Sequence, residues 1–189
     1  PAFNSIQMAR MILELDRIEE STPQVNFAPT IYNLTSQLAG SLRNGGEPIL
    51  NPSVICASAK AFAAANVEPP GLFERLSREG ALLISEMDLR GISDIIHSFG
   101  RMNYHNRSLV DAARRQIDSD PVDPSSGREF VTMAWAFAIA DDQVAFNWAW
   151  RYVEKLAPTS CWELDDINRL FVAAHVMGAP IPDCLKPAV

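Results

Sequence analysis

The chain has 189 residues, 48% of them apolar, and a formal net charge of −7. That length suits one substantial domain, and that apolar fraction excludes global disorder. The acidity excludes a protein that grips polyanions with its whole surface, so any nucleic-acid surface must be a local patch.

No apolar run approaches the ~18 residues of a membrane span, so no membrane insertion is expected. The sequence begins at Pro1 without a visible targeting peptide, which reads as a processed product or a segment of something longer. Cys56, Cys161 and Cys184 are too few and too scattered for a disulfide framework or a zinc knuckle, and read as buried reduced thiols.

Residues 3 to about 20 are apolar at helical spacing: Ile6, Met8, Met11, Ile12, Leu15 and Ile18 share one broad face, and Ser21-Thr22-Pro23 stops it. We take 1–28 as an N-terminal helix, a degenerate repeat element. From Pro29 the pattern becomes helical hairpins. In the first (29–68), Ile31, Leu34, Leu38 and Leu42 share a face, Asn44-Gly45-Gly46 ends the helix, and Asn51-Pro52 opens an alanine-rich second helix. In the second (69–105), Leu72, Phe73, Leu76 and Leu83 supply the first stripe and Asp88 caps the second helix. In the third (106–140), Asn106 starts a helix lined by Leu109, Val110, Ala113 and Ile117. The stretch SDPVDPSSG then interrupts, and Ser126 with Glu129 makes a capping box.

The fourth hairpin (141–179) places Val144, Phe146, Trp148, Trp150 and Val153 along its first helix. Trp148 and Trp150, two positions apart, cannot both point inward well. Ser160 with Glu163 offers a second capping box, and Ile167, Leu170, Phe171, Ala174 and Met177 continue the inner stripe. Residues 180–189 resemble the start of a fifth hairpin.

These hairpins share a period. Phe62, Phe99, Phe137 and Ala174 are 37, 38 and 37 residues apart, and seven residues before each stands Ile55, Ile92, Phe130 or Ile167. The caps Asn51, Asp88 and Ser126 keep the same spacing. Self-similarity of this length is the signature of stacked helical hairpins. The expected fold is all-α: a right-handed α-solenoid of 37–38-residue hairpins.

Chemistry is sparse. No phosphate-binding glycine loop and no zinc-protease signature occurs. His97 and His105 flank one helix end, without ligand spacing, so no metal and no cofactor is expected. An enzyme would need a deep pocket in which His97, His105 and acidic groups converge; the expectation is a non-enzymatic protein. A binding surface is better supported. Arg78 with Arg115 and Arg114 with Arg151 lie 37 apart on first helices, and Arg90 with Arg128 lies 38 apart where second helices begin. Hairpins stacked at roughly 10 Å would turn such pairs into ladders, and arginine's planar fork suits phosphate oxygens. The alternative is that Arg78, Arg114, Arg115 and Arg151 are solvated and paired with Glu74, Glu79, Asp111, Asp118 or Glu154. One further column, Lys60, His97, Trp135 and Val172, sits two residues before each anchor; its variation is that of a base-reading position and equally that of an unconstrained surface position.

The segments PPGLF, LRGISDIIHSFGRMNYHN, FVTMAWAFAIADD and INRLFVAAHVMGAP resemble the octotricopeptide repeats of organelle RNA-processing factors. They are also similar to the heptatricopeptide repeats of FAST-kinase-like and RAP-domain proteins, with Met133-Ala134-Trp135-Ala136-Phe137-Ala138 the nearest match to their second-helix consensus. The resemblance covers about residues 29 to 185. It implies a mitochondrial protein, or secondly a plastid one, that binds ribosomal or messenger RNA, as a mitochondrial ribosome subunit would. Its partners would be RNA and protein subunits of a larger assembly. The alternative is a protein-binding scaffold in a large mitochondrial complex, favoured by the acidity and by the interface-type residues of NWAWRY.

Overall fold

A computed structural model describes residues 3–22, 24, 26–44 and 51–185. Pro23, Gly45, Gly46 and the last four positions of the expected fifth hairpin lie outside the described residues. Among the described residues the protein is all-helical, with α1 (Ser5–Ser21), α2 (Ala28–Asn44), α3 (Pro52–Ala64), α4 (Leu72–Leu82), α5 (Leu89–Arg101), α6 (Arg107–Ser119), α7 (Gly127–Ile139), α8 (Gln143–Leu156) and α9 (Leu164–Met177). None of these helices is long and apolar enough to cross a membrane.

Local chemistry sets where most of them start. Asn51, Asp88, Asn106 and Asp142 each accept a first-turn N–H, at 2.8, 2.7, 3.0 and 3.0 Å respectively. Asn4 and Gln7 close a reciprocal capping box that was not among the expectations. The two boxes that were expected are not made. Ser126 has a turn-like ψ of 15° and no side-chain cap bond. α9 starts after Glu163 rather than near Ser160, and the Glu163 N–H donates back to Asp166 Oδ2 at 3.2 Å.

The other ends are set by the left-handed region. Asn66, Asn103, Asp141 and Gly178, which close α3, α5, α7 and α9, have φ of 50°, 51°, 53° and 64°. These are the residue types that tolerate that region. After each one, the next N–H donates back to the carbonyl of Phe62, Phe99, Phe137 or Ala174, at 2.9–3.0 Å. This is a Schellman ending, and it uses the carbonyls of the four anchor residues.

Two layers result. The odd-numbered helices pack in succession, α1 on α3, α3 on α5, α5 on α7 and α7 on α9. The even-numbered helices cover them: α2 lies against α1, α4 against α3, α6 sparsely against α5, and α8 against α7. Within the even layer α4 touches α6, but α2–α4 and α6–α8 approach only sparsely. The core follows the predicted stripes: Leu38, Ile55, Phe62, Leu76, Leu109, Phe130 and Leu170 are at most 1% exposed. Each such side chain contributes about 1.5–3 kcal/mol by burial.

Three expectations change. Trp148 and Trp150 are both buried, at 1% and 5% exposure. Trp148 meets Phe130 and Phe137 of α7 and donates to Asp118 of α6, whereas Trp150 is stacked on Phe146 of its own helix. Val144 and Phe171, placed in inner stripes, are exposed instead. Of the thiols only Cys56 is partly buried; Cys161, in the connection before α9, and Cys184, in a short 3-10 turn after it (Asp183–Leu185), are exposed.

Candidate nucleic-acid interface

The outward face of the odd layer carries a cleft of about 400 Å³, lined by side chains of four successive odd-numbered helices. Lys60 comes from α3, Arg90 and His97 from α5, Arg128 from α7 and Arg169 from α9. Asp94 and Glu129 line it as well, so the charge is mixed rather than uniformly positive.

Two of the cations are engaged by carboxylates. Lys60 Nζ lies 3.0 Å from Asp94 Oδ2. Arg128 lies 3.3 Å from Glu163 Oε2 and 3.4 Å from Oδ1 of the fully buried Asp166. The Asp166 Oδ1 atom has no hydrogen bond, so its contact with Arg128 is a charge contact alone. Arg90 and Arg169 have no carboxylate partner among the described residues; Arg169 Nη1 donates to Thr132 Oγ1 at 3.4 Å. An unpaired guanidinium beside a cleft is the group an oxyanion recognises most readily.

His97 forms one wall. Burial, then Arg169 and Arg101, push its pKa down to about 4, with Asp94 acting in the opposite direction. It is therefore neutral at physiological pH, a hydrogen-bonding and stacking group rather than another cation. Its ring lies 5.1 Å from that of Trp135 at 39°. The column Lys60–His97–Trp135 is thus brought together with Arg90 and Arg128.

The remaining arginines lie on the other layer. Arg114 and Arg151 share a cleft beside α6 and α8, where Arg114 sits 5.9 Å above the Trp148 ring. Arg78 and Arg115 are exposed on α4 and α6. The carboxylate pairing expected for these four does not occur among the described residues. Glu79 is bound to Arg75 and Asp111 to Arg107. Asp118 Oδ1 accepts from Trp148 Nε1 at 2.9 Å and Tyr152 Oη at 2.8 Å.

Arg169 escapes any sequence reasoning that follows arginines recurring in register. Its equivalents one, two and three periods earlier are Thr132, Asp94 and Ala57. Its position three residues before Val172, on the same helix face as the base-reading column, was the available signal.

His97 and His105 do not line a common cleft. His97 belongs to this cleft, whereas His105 lies 3.3 Å from Asp142 in a separate one. Among the described residues no three His, Cys, Asp or Glu side chains converge as metal ligands. No protein-family model matches the sequence, and no curated protein matches it.

Proposed function

We propose that this chain is a non-enzymatic, organellar RNA-binding protein built as a right-handed α-solenoid of 37–38-residue hairpins, associated with ribosomal RNA in mitochondria. The observation that carries the RNA reading is the convergence of Lys60, Arg90, Arg128 and Arg169 on one cleft beside the His97–Trp135 pair. Phosphate contacts supply affinity, and the half-buried His97–Trp135 pair offers an aromatic edge for stacking of unpaired bases.

The solenoid reading is supported by the left-handed endings at 66, 103, 141 and 178, spaced 37, 38 and 37 like the anchors. Packing order supports it too, because each odd helix rests on the next. The cleft spans four successive helices of the odd layer, a continuous face along which a strand could lie.

Affinity for a single-stranded RNA, measured by fluorescence anisotropy across a salt series, tests the reading. The double substitution Arg90→Gln with Arg169→Gln should weaken binding and lower the magnitude of the slope of log affinity against log salt by up to about 1.4, at about 0.7 for each phosphate no longer neutralised. Arg114→Gln with Arg115→Gln should leave the slope unchanged. An unaltered slope in the first variant refutes the assignment of the face.

The second reading, a protein-binding scaffold, is favoured by the open seam of α9. Gly127, Val131, Ala134 and Ala138 of α7 are all buried. Their counterparts 37 residues later, Leu164, Asn168, Phe171 and His175, are all exposed. Phe171→Asp leaves the cleft intact. Loss of partner proteins with RNA binding retained would select the scaffold reading.

A further inference from the structure

Resting on the RNA-binding reading above, we infer that the cleft between α3 and α9 receives the terminal phosphomonoester of an RNA strand, held by Arg90 and Arg169, rather than an internal stretch of backbone.

The charge balance points there. Lys60 and Arg128 are engaged by Asp94, Glu163 and Asp166, which leaves two guanidinium groups without a carboxylate. A terminal phosphomonoester carries roughly −1.5 to −2 near neutral pH, which matches two such groups. An internal phosphodiester carries one charge, and a strand of them asks for cations in a row. Here the cations surround one space of about 400 Å³. That is near the small end of ligand sites, with room for about one nucleotide.

The neutral groups agree. Thr132 Oγ1 accepts from Arg169, so its own proton is free to donate to a phosphate oxygen. Ser93 Oγ already donates to the Glu129 carbonyl at 3.2 Å and so belongs to the wall. The His97–Trp135 pair offers the terminal base a stacking edge beside that wall. Glu129 is the unfavourable group, a carboxylate on the same lining with no ion pair among the described residues.

The test compares one short RNA sequence in four forms, with hydroxyl or phosphate at the 5′ end and hydroxyl or phosphate at the 3′ end, at fixed ionic strength. AMP serves as competitor. One phosphorylated form should bind about tenfold or more tightly than its hydroxyl twin, as expected of charge-assisted bidentate contacts. The gap should close in Arg90→Gln, an exposed position whose substitution leaves the core untouched, and in Arg169→Gln. Glu129→Gln should widen it. Equal affinity for phosphorylated and hydroxyl forms overturns this inference and leaves RNA binding standing. Failure to bind any of the four overturns both. AMP binding as tightly as phosphorylated RNA assigns the site to a free nucleotide and overturns the RNA-end reading.

Discussion

Replacing Gly100 by alanine tests the close approach of α5 and α7 on which the odd layer depends. A Cβ at position 100 would sit 2.6 Å from Ala136 Cβ, 2.8 Å from Ala136 Cα and 2.9 Å from the Ala136 carbonyl oxygen. Carbon atoms settle at roughly 3.5–4.0 Å, so the helices would have to separate by about 1 Å. Two of the three obstructing atoms are backbone and cannot rotate aside. Overpacking of this kind costs about 1–3 kcal/mol, whereas Gly→Ala in a helix returns at most about 1 kcal/mol. Separation also loosens the packing of Ile96, Phe99 and Phe137 around the same point. The expected net loss is about 1 kcal/mol. Gly40 in α2 is the control: nothing lies within 4 Å of its would-be Cβ. Only propensity and chain entropy act there, so Gly40→Ala should gain about 0.5–1 kcal/mol. Urea unfolding reads both as shifts in midpoint at constant slope. Adding Ala136→Gly to Gly100→Ala should restore part of the loss and no more, because Cα and the carbonyl oxygen remain. If Gly100→Ala raised the midpoint as Gly40→Ala does, the argument from close approach would be wrong.

His97, facing Lys60, Asp94, Arg101 and Arg169, has its pKa lowered to about 4, against roughly 6.5 in an unfolded chain. As pH falls through that window the unfolded state takes up a proton that the folded state refuses. Stability should therefore drop by about 3 kcal/mol and flatten below pH ~4. Urea midpoints of the wild type and His97→Gln across the window isolate the step, and identical pH dependence would remove it. At Asn103, φ of 51° makes Asn103→Val costly by about 1–2 kcal/mol, whereas Asn103→Gly should be neutral or slightly stabilising. Thermal unfolding that ranks valine at or above glycine would contradict the left-handed ending.

The helices, several of their starts and most of the core were legible because each is written locally. Asn51-Pro52, Asp88 and Asn106 carry their own cap chemistry, and stripes such as Ile31–Leu34–Leu38–Leu42 fix one buried face. The endings are equally local: Asn66, Asn103, Asp141 and Gly178 form a column of residues suited to left-handed backbone, four residues after each apolar anchor and at the same period. Ser126 misled because SDPVDPSSG has several residues able to start a turn, and Asp123 Oδ1 takes the Ser125 N–H and hydroxyl bonds instead. The two tryptophans misled because one-face periodicity presumes a helix with one covered side. For the cleft, half was visible: the Lys60–His97–Trp135 column and the Arg90–Arg128 pair. Arg169 was not, because its role depends on which different residues three neighbouring helices present beside it.

That dependence ties packing to binding. The cleft exists only if side chains one helix apart can reach a common space, and the spacing of α5 from α7 is set by Gly100 against Ala136. Arg90 and His97 ride on one of those helices, Arg128, Thr132 and Trp135 on the other. A separation of about 1 Å caused by Gly100→Ala would move the two sets apart without touching any of the five. Charge-assisted hydrogen bonds are steep in distance, so anion binding should weaken in step with stability. Gly40→Ala, whose site packs against neither helix, should leave it unchanged. Tight binding retained by a destabilised Gly100→Ala protein would mean that the cations reach the ligand independently, and the cleft would be a surface coincidence rather than a consequence of the small residues beneath it.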